Sequence, residues 1–135
     1  MTQANVSYTT KSWDRRKWHD SIIPDDGGAR VYRVELVYIY QGVIEGEGTV
    51  QFLISQNKHD EVNFVALERV MGSVGGRSGS FVLQRIGTFD AGKVVETITV
   101  IPDSGTDELA TLSGQAAIQH QRHQDEYHIA FEYQF

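Results

Sequence analysis

A predicted β-hairpin from Asn63 to Phe89 constrains the fold of this chain more than any other stretch. Its first arm is apolar on both faces except for the adjacent Glu68 and Arg69, and its second arm has Arg85 at its centre. Neighbouring side chains on a strand point to opposite faces, so only one of Glu68 and Arg69 can face a given interior. A strand that is apolar on both faces must be covered on both. We therefore expect a core on one side and a loop, a helix or another subunit on the other.

Eight stretches of the chain have the residue spacing of short β-strands. The predicted strands are Asn5 to Trp13, Val31 to Tyr40, Ile44 to Ser55, Val62 to Val70, Ser80 to Phe89, Lys93 to Ile101, Gln115 to Gln121 and Tyr127 to Phe135. Asp14 to Ala29 is charged and ends in a turn signature, so we interpret it as a long connection. Ser104 to Leu112 is predicted to form one helical turn, with Ser104 or Thr106 as its N-cap.

Short strands joined by tight turns favour a closed up-and-down barrel, because closure removes unpaired strand edges. The predicted fold is one all-β domain over residues 1–135, a closed eight-stranded antiparallel barrel with at most one short helical turn. Gly46 and Gly48 share the predicted inward face of their strand, where glycine allows a sharp bend at a barrel corner.

The composition of the chain excludes several classes of function. The 135 residues carry a formal net charge of -6, which argues against nucleic acid or an anionic membrane as the main partner. The chain has no cysteine, which excludes disulfides, thiolate metal sites and cysteine nucleophiles. The first ten residues lack the features of a signal peptide, and no run approaches the roughly 18 apolar residues of a spanning helix. We predict a cytoplasmic protein without a cofactor.

Four short motifs, in this order along the chain, carry a resemblance to a known family. They are Ile44 to Thr49, Leu67 to Val70 followed by Gly72, Gly75 to Phe81, and Ser104 to Thr106 ahead of Glu108 and Leu109. Together they resemble a bacterial domain-of-unknown-function family of small proteins grouped with allene-oxide-cyclase-like barrels. The resemblance covers Trp13 to Phe135, and the chain departs from it at Asp107, near which the family pattern has glycine.

This resemblance implies an eight-stranded, calycin-like antiparallel barrel with no assigned activity. Relatives in the same superfamily, which include plant allene oxide cyclase, dirigent proteins and bacterial cyclases, guide reactive apolar intermediates inside a barrel. The resemblance therefore implies small-molecule binding and a possible cyclase or isomerase activity. No catalytic residue is carried over, because no motif of these distant relatives matches position by position.

An eight-stranded barrel is just wide enough to fill itself with side chains or to hold one small ligand. Its predicted interior is aromatic, with Tyr32, Tyr38, Phe52, Phe81, Phe131 and Tyr133. Charged residues of the hairpin are predicted to supply a polar anchor for an apolar or carbonyl-bearing ligand, either by orienting its carboxylate or carbonyl or by moving a proton through Glu68. The predicted ligand-binding residues are Tyr38, Phe64, Glu68, Arg69, Arg85, His120 and Tyr133. The alternative is a filled, non-catalytic barrel whose charges fix strand register or a subunit contact, and in either case we predict a homo-oligomer.

Other candidate motifs in the sequence are weaker. His120, His123 and His128 form the only histidine cluster, but His120 and His128 have opposite predicted parities, so we predict no metal site. The basic cluster at residues 15–17, between Trp13 and Trp18, is interpreted as a solvated loop rather than a nucleic-acid site. The glycines between residues 72 and 79 lead into a strand and lack the Lys-Ser/Thr of a phosphate-binding loop.

Overall fold

The computed structural model of the chain describes residues 1–13, 19–22, 28–121 and 124–135, and these residues form nine β-strands, several of which alternate apolar and polar side chains. The strands are β1 (Thr2–Trp13), β2 (His19–Ile22), β3 (Arg30–Gly42), β4 (Ile44–Gln56), β5 (Val62–Val74), β6 (Arg77–Asp90), β7 (Lys93–Val100), β8 (Ser113–Gln121) and β9 (Tyr127–Gln134). A 3₁₀ helix at Asp107–Leu109 interrupts the connection between β7 and β8. No helix of these described ranges is long and apolar enough to cross a membrane.

Eight of the strands close into an antiparallel barrel, as the sequence predicts. From β3 to β9 each strand pairs with the next, β9 pairs with β1, and β1 returns to β3. Val6 marks the seam, because it lies opposite Gly42 of β3 on one side and Ile129 of β9 on the other. The predicted single helical turn is also confirmed in the 3₁₀ helix.

The short strand β2 lies inside the segment that the sequence analysis interprets as a connection. It pairs with the first residues of β3, where His19 lies opposite Arg33 and Asp20 opposite Tyr32. β1 has already left that edge of β3 after pairing Trp13 with Leu36. Four residues are too few to show a period, so the free edge of β3, rather than a sequence pattern, explains this strand. The basic cluster at residues 15–17 lies outside the described residues.

The faces of the central hairpin divide its charged residues between the barrel interior and solvent. Glu68 and Arg85 are fully buried, with side chains directed into the barrel, whereas Arg69 is exposed on the outer face. The predicted aromatic interior is confirmed: Tyr32, Tyr38, Phe81 and Phe131 are buried, and Phe52 and Tyr133 pack against the same core. The outer face of β5 remains apolar and exposed at Val65, Leu67 and Met71.

One end of the barrel is filled with apolar side chains. Ile44, Val74, Phe81, Leu109, Leu112 and Phe131 are buried together there. The segment between β7 and β8 is tied to β6 because the Ser80 amide donates to Thr106 Oγ1 at 3.0 Å and the Thr106 amide donates to the Ser80 carbonyl at 2.9 Å. Thr106 holds the N-cap position of the 3₁₀ helix, but its side chain bonds β6 instead of capping the helix. Asp107 has φ +52°, a left-handed conformation that explains a preference for glycine there.

Candidate ligand site in the open half of the barrel

The other half of the barrel contains a cavity of about 450 Å³. It lies at the end where β4, β6 and β8 finish and β3, β5, β7 and β9 begin. Its walls are mostly apolar and include Val34, Leu36, Phe52, Ile54, Phe64 and Phe89. Gln56, Asp60 and His120 lie around it closer to the strand ends. The volume matches the size of small-molecule sites in proteins, which are mostly apolar with a few polar groups.

Beneath the cavity, the Arg85 guanidinium binds four side chains from four different strands. Arg85 Nε donates to Glu68 Oε1 at 2.8 Å, and Arg85 Nη1 donates to Glu96 Oε1 at 2.6 Å. Arg85 Nη2 donates to the Tyr40 hydroxyl at 2.8 Å, and Nη1 makes a longer bond of 3.4 Å to the Tyr8 hydroxyl. Tyr40 in turn donates to Glu68 Oε2 at 2.5 Å. This cluster joins β1, β3, β5, β6 and β7 at the floor of the cavity.

All three guanidinium nitrogens of Arg85 are occupied by these contacts. Arg85 does not line the cavity, and neither does Glu68, since both lie below Tyr8, Tyr38 and Glu96. The cluster contains one positive and two negative side chains, so its formal charge is negative when both carboxyls are ionised. The cation therefore acts inside the protein as the partner of two buried carboxylates and is not available to a ligand.

The phenols around Arg85 remain protonated at neutral pH. Burial raises the pKa of Tyr8 to about 12, although the neighbouring Arg85 opposes this increase. Burial likewise raises the pKa of Tyr38 and of Tyr40 well above the usual value of 10.0. Burial by itself disfavours the charge of Arg85, but Tyr40 and Glu68 outweigh it and hold its pKa well above the usual range. The phenols are consequently hydrogen-bond donors and the guanidinium stays charged.

Two polar groups at the cavity floor have unused hydrogen-bonding capacity among the described residues. Glu96 accepts from Arg85 through Oε1, and no described group donates to its Oε2 atom. The Tyr38 hydroxyl forms no hydrogen bond with a described residue, although its ring lies 5.1 Å from the guanidinium carbon of Arg85. Both residues line the cavity and both are more than nine-tenths buried. A carboxylate acceptor and a phenol donor thus face the same space.

Glycine and strand register explain how the buried charges fit. Gly48 lies beside Glu68 inside the barrel, and a Cβ atom at position 48 would collide with the Glu68 carboxylate. Arg85 lies opposite Ala66 and one diagonal step from Glu68, which places a small residue where the guanidinium passes. The inward glycine predicted to bend the strand therefore also leaves room for a carboxylate.

The residues predicted from sequence to bind a ligand are distributed over three regions. Tyr38, Phe64 and His120 line the cavity, with His120 half-buried against Tyr127. Glu68 and Arg85 lie beneath its floor, and Glu68 is the member of the Glu68–Arg69 pair that faces the interior.

The remaining two predicted residues lie away from the cavity. Arg69 is on the exposed outer face, because it has the opposite parity to Glu68. Tyr133 packs on Phe131 at the filled end. Of the other two members of the predicted histidine cluster, His128 is on the exposed face and His123 is outside the described residues.

Sequence reasoning missed Glu96 and Tyr8, which complete the floor. A signal for Glu96 exists, since it shares parity with Val94, Ile98 and Val100 on an otherwise apolar strand face. Tyr8 stands out in the sequence only as a member of an alternating strand. Its proximity to Arg85 depends on the closure of β1 onto β3, which no local pattern encodes.

The comparison with protein families decides the classification of this chain. Residues 4–133 match the family described as a protein of unknown function, DUF3224. The chain belongs to the DUF3224 family. A crystal structure of a DUF3224 protein of unknown function from Shewanella oneidensis MR-1 is similar to it, with 28% sequence identity and a TM-score of 0.81. That likeness covers 100% of this chain and 97% of the other, so the barrel of this DUF3224 protein has a counterpart among solved structures. The search of curated proteins found no match to this chain.

Proposed function

We propose that this DUF3224 protein binds a small, mostly apolar molecule bearing a carbonyl group in the open half of its barrel. The observation that carries the proposal is the 450 Å³ cavity with apolar walls and a polar floor made by Tyr8, Tyr38 and Glu96. The phenols stay protonated and can donate to a carbonyl oxygen, while Phe52 and Phe64 offer aromatic surface to the rest of the ligand.

The charge of the floor favours a neutral ligand over a carboxylate. The Arg85 guanidinium is already shared by Glu68 and Glu96, so an anion at the floor would face a second negative charge without another cation from the described residues of the cavity lining beside it. Burying an unpaired charge is costly in free energy. The allene-oxide-cyclase-like relationship, and a cyclase or isomerase activity with it, are consistent with such a site and remain part of the proposal.

The alternative function is a non-catalytic structural or protein-interaction module with a filled barrel. The filled end of the barrel and the buried charge cluster favour it, because both serve stability and strand register. The cavity and the unused polar atoms of its floor favour the binding function instead. A stably folded protein that binds no apolar ketone would support the alternative.

Fluorescence titration with prodan, a neutral aromatic ketone whose emission reports the polarity around it, tests the proposed function. We expect saturable binding with a change of the emission away from its wavelength in water. Val94→Trp should abolish binding, because Val94 lines the cavity and a larger ring fills it. The matched control is Val95→Trp, since Val95 is the next residue of β7 and its side chain is exposed on the outer face.

Tyr38→Phe tests the predicted donor, and we expect it to weaken prodan binding about tenfold because one hydrogen bond is lost. Tyr133→Phe is the control at the filled end and should bind as the wild type does. Binding that survives Val94→Trp, or that is lost equally in Val95→Trp, would contradict a site inside the barrel.

A further inference from the structure

The floor of the cavity brings together the groups that a proton transfer next to a carbonyl requires. Such a reaction needs a base near the carbon and hydrogen-bond donors at the oxygen on which negative charge develops. Glu96 lines the cavity with an Oε2 atom to which no described group donates, and Tyr8 and Tyr38 line the same cavity with ring centroids 4.9 Å apart. These three side chains come from β7, β1 and β3, and they meet only because the barrel closes.

We propose that Glu96 is a catalytic base that enolises a ketone bound in the cavity, with Tyr38 and Tyr8 donating to the carbonyl oxygen. This inference rests on the proposed ketone-binding function and names its chemistry. The C–H bond beside the carbonyl breaks and its proton moves to Glu96 Oε2. The electron pair of that bond forms a C=C bond, and the carbonyl π pair moves to the oxygen held by the phenols.

Glu96 then returns a proton, either to the same carbon after its own proton has exchanged with solvent water, or to a conjugated carbon. The net result is hydrogen exchange or migration of a double bond, so the reaction consumes no oxidant, reductant or second substrate. The substrate class is a neutral ketone with a hydrogen on the adjacent carbon and a mostly apolar body. A conjugated product arises when the ketone carries a double bond one carbon further away.

The contact between Glu96 and Arg85 holds the carboxylate in place for this role. Oε1 accepts from Arg85 Nη1 at 2.6 Å, which fixes a carboxylate that lines the cavity and whose Oε2 atom accepts from no described group. A carboxylate can serve as the base in enolisation when hydrogen-bond donors stabilise the oxyanion. Arg85 is therefore a positioning residue, whereas Glu96, Tyr38 and Tyr8 contact the substrate.

Prodan, the probe that tests binding, also tests this inference. The hydrogens on the methylene carbon next to its carbonyl group should exchange in heavy water, and mass spectrometry measures the rate of that exchange. We expect the wild type to accelerate exchange at least tenfold over buffer. Glu96→Gln should return exchange to the buffer rate while prodan binding changes less than threefold, since the amide oxygen still accepts from Arg85. Glu45→Gln, on the exposed outer face of β4, is the matched control and should exchange as the wild type does.

Prodan binding and hydrogen exchange are measured separately, so failure of the binding function can be distinguished from failure of the catalytic role of Glu96. Prodan binding without accelerated exchange, or with exchange unchanged in Glu96→Gln, overturns the catalytic role and leaves the binding function standing. Absence of binding overturns both. If Glu96→Gln does not fold, Tyr38→Phe gives the decision: the exchange rate of the bound probe must fall at least tenfold, and an unchanged rate overturns the inference.

Discussion

Arg85 and Glu96 are joined by a hydrogen bond of 2.6 Å between adjacent strands, and of the two only Glu96 reaches the cavity. The pair separates two tasks that a buried ion pair often combines. The guanidinium neutralises charge within the wall of the barrel, and the Glu96 carboxylate also lines the cavity.

Removing the guanidinium should destabilise the protein strongly. Arg85→Met leaves Glu68 and Glu96 buried without their cation, and loss of one partner of such a pair costs about 3–5 kcal/mol. Urea denaturation measures the free energy of unfolding. Arg69→Met is the control on the exposed face of the neighbouring strand and should change it by less than about 0.5 kcal/mol. If Arg85→Met and Arg69→Met changed the free energy of unfolding equally, the charge cluster around Arg85 would contribute nothing to stability.

Gly48→Ala should destabilise the barrel by about 1–3 kcal/mol through overpacking. The added methyl group would collide with the carboxylate of Glu68, which cannot move without losing its bonds to Arg85 and Tyr40. Thermal denaturation followed by circular dichroism checks the effect. Thr49→Ala, which changes the adjacent exposed position, is the control, and a Gly48→Ala variant as stable as Thr49→Ala would contradict the steric argument.

Stability should fall at alkaline pH because buried tyrosines must stay protonated. The pKa of Tyr8 is raised from 10.0 to about 12, so its contribution is complete below pH 10 and is lost as the pH rises through 12. A tenfold difference in acidity between the folded and unfolded states corresponds to about 1.4 kcal/mol of stability. Urea denaturation at several pH values between 8 and 12 measures the decline. The free energy of unfolding of Tyr8→Phe should fall less steeply with pH than that of the wild type. Identical dependence on pH in the two proteins would contradict the prediction.

The cavity should discriminate between a ketone and a carboxylate of similar shape. We expect 6-dimethylamino-2-naphthoate to bind at least tenfold more weakly than prodan, because its charge meets that of Glu96. Competition titration measures both affinities. Glu96→Gln removes the repulsion and should reduce the difference in affinity between prodan and the naphthoate. A naphthoate that binds the wild type as tightly as prodan does would show that the floor carries no excess negative charge.

A homo-oligomer stays a prediction, and the exposed outer face of the barrel identifies where to test it. Val65 and Ile86 lie opposite each other on β5 and β6, and each is about half exposed. We expect a second copy to cover this face, so light scattering should give a mass above 15.2 kDa for the wild type. Val65→Lys together with Ile86→Lys should give the monomer mass. A wild-type monomer at every concentration would contradict the prediction.

Local patterns specify most of the fold in this chain. The two-residue period on β3 and β9 and the turns between strands are enough to predict the closed barrel and its aromatic interior. The strand β2 is not predictable in this way, because its pairing depends on an edge of β3 that becomes free only when β1 turns away.

The candidate site is predictable only in part, for a related physical reason. Periodicity places Tyr38 and Phe64 on interior faces, but it cannot separate Glu68 from Arg69 when both faces of β5 are apolar. The partners of Arg85 come from strands distant in sequence, such as Tyr8 at a separation of 77 residues. Which residues meet inside a barrel depends on strand register, which a single sequence specifies weakly.

The seam at Val6 has a consequence for synthesis of the protein. β1 leaves the ribosome first, but one of its edges finds its partner only when β9 has been translated. Until then the nascent chain exposes two strand edges, one on β1 and one on β8, and such edges pair readily with other chains. Early binding of β1 to β3 shields the opposite edge during this interval. Slow translation of the last strands would therefore increase aggregation more than slow translation of the central hairpin.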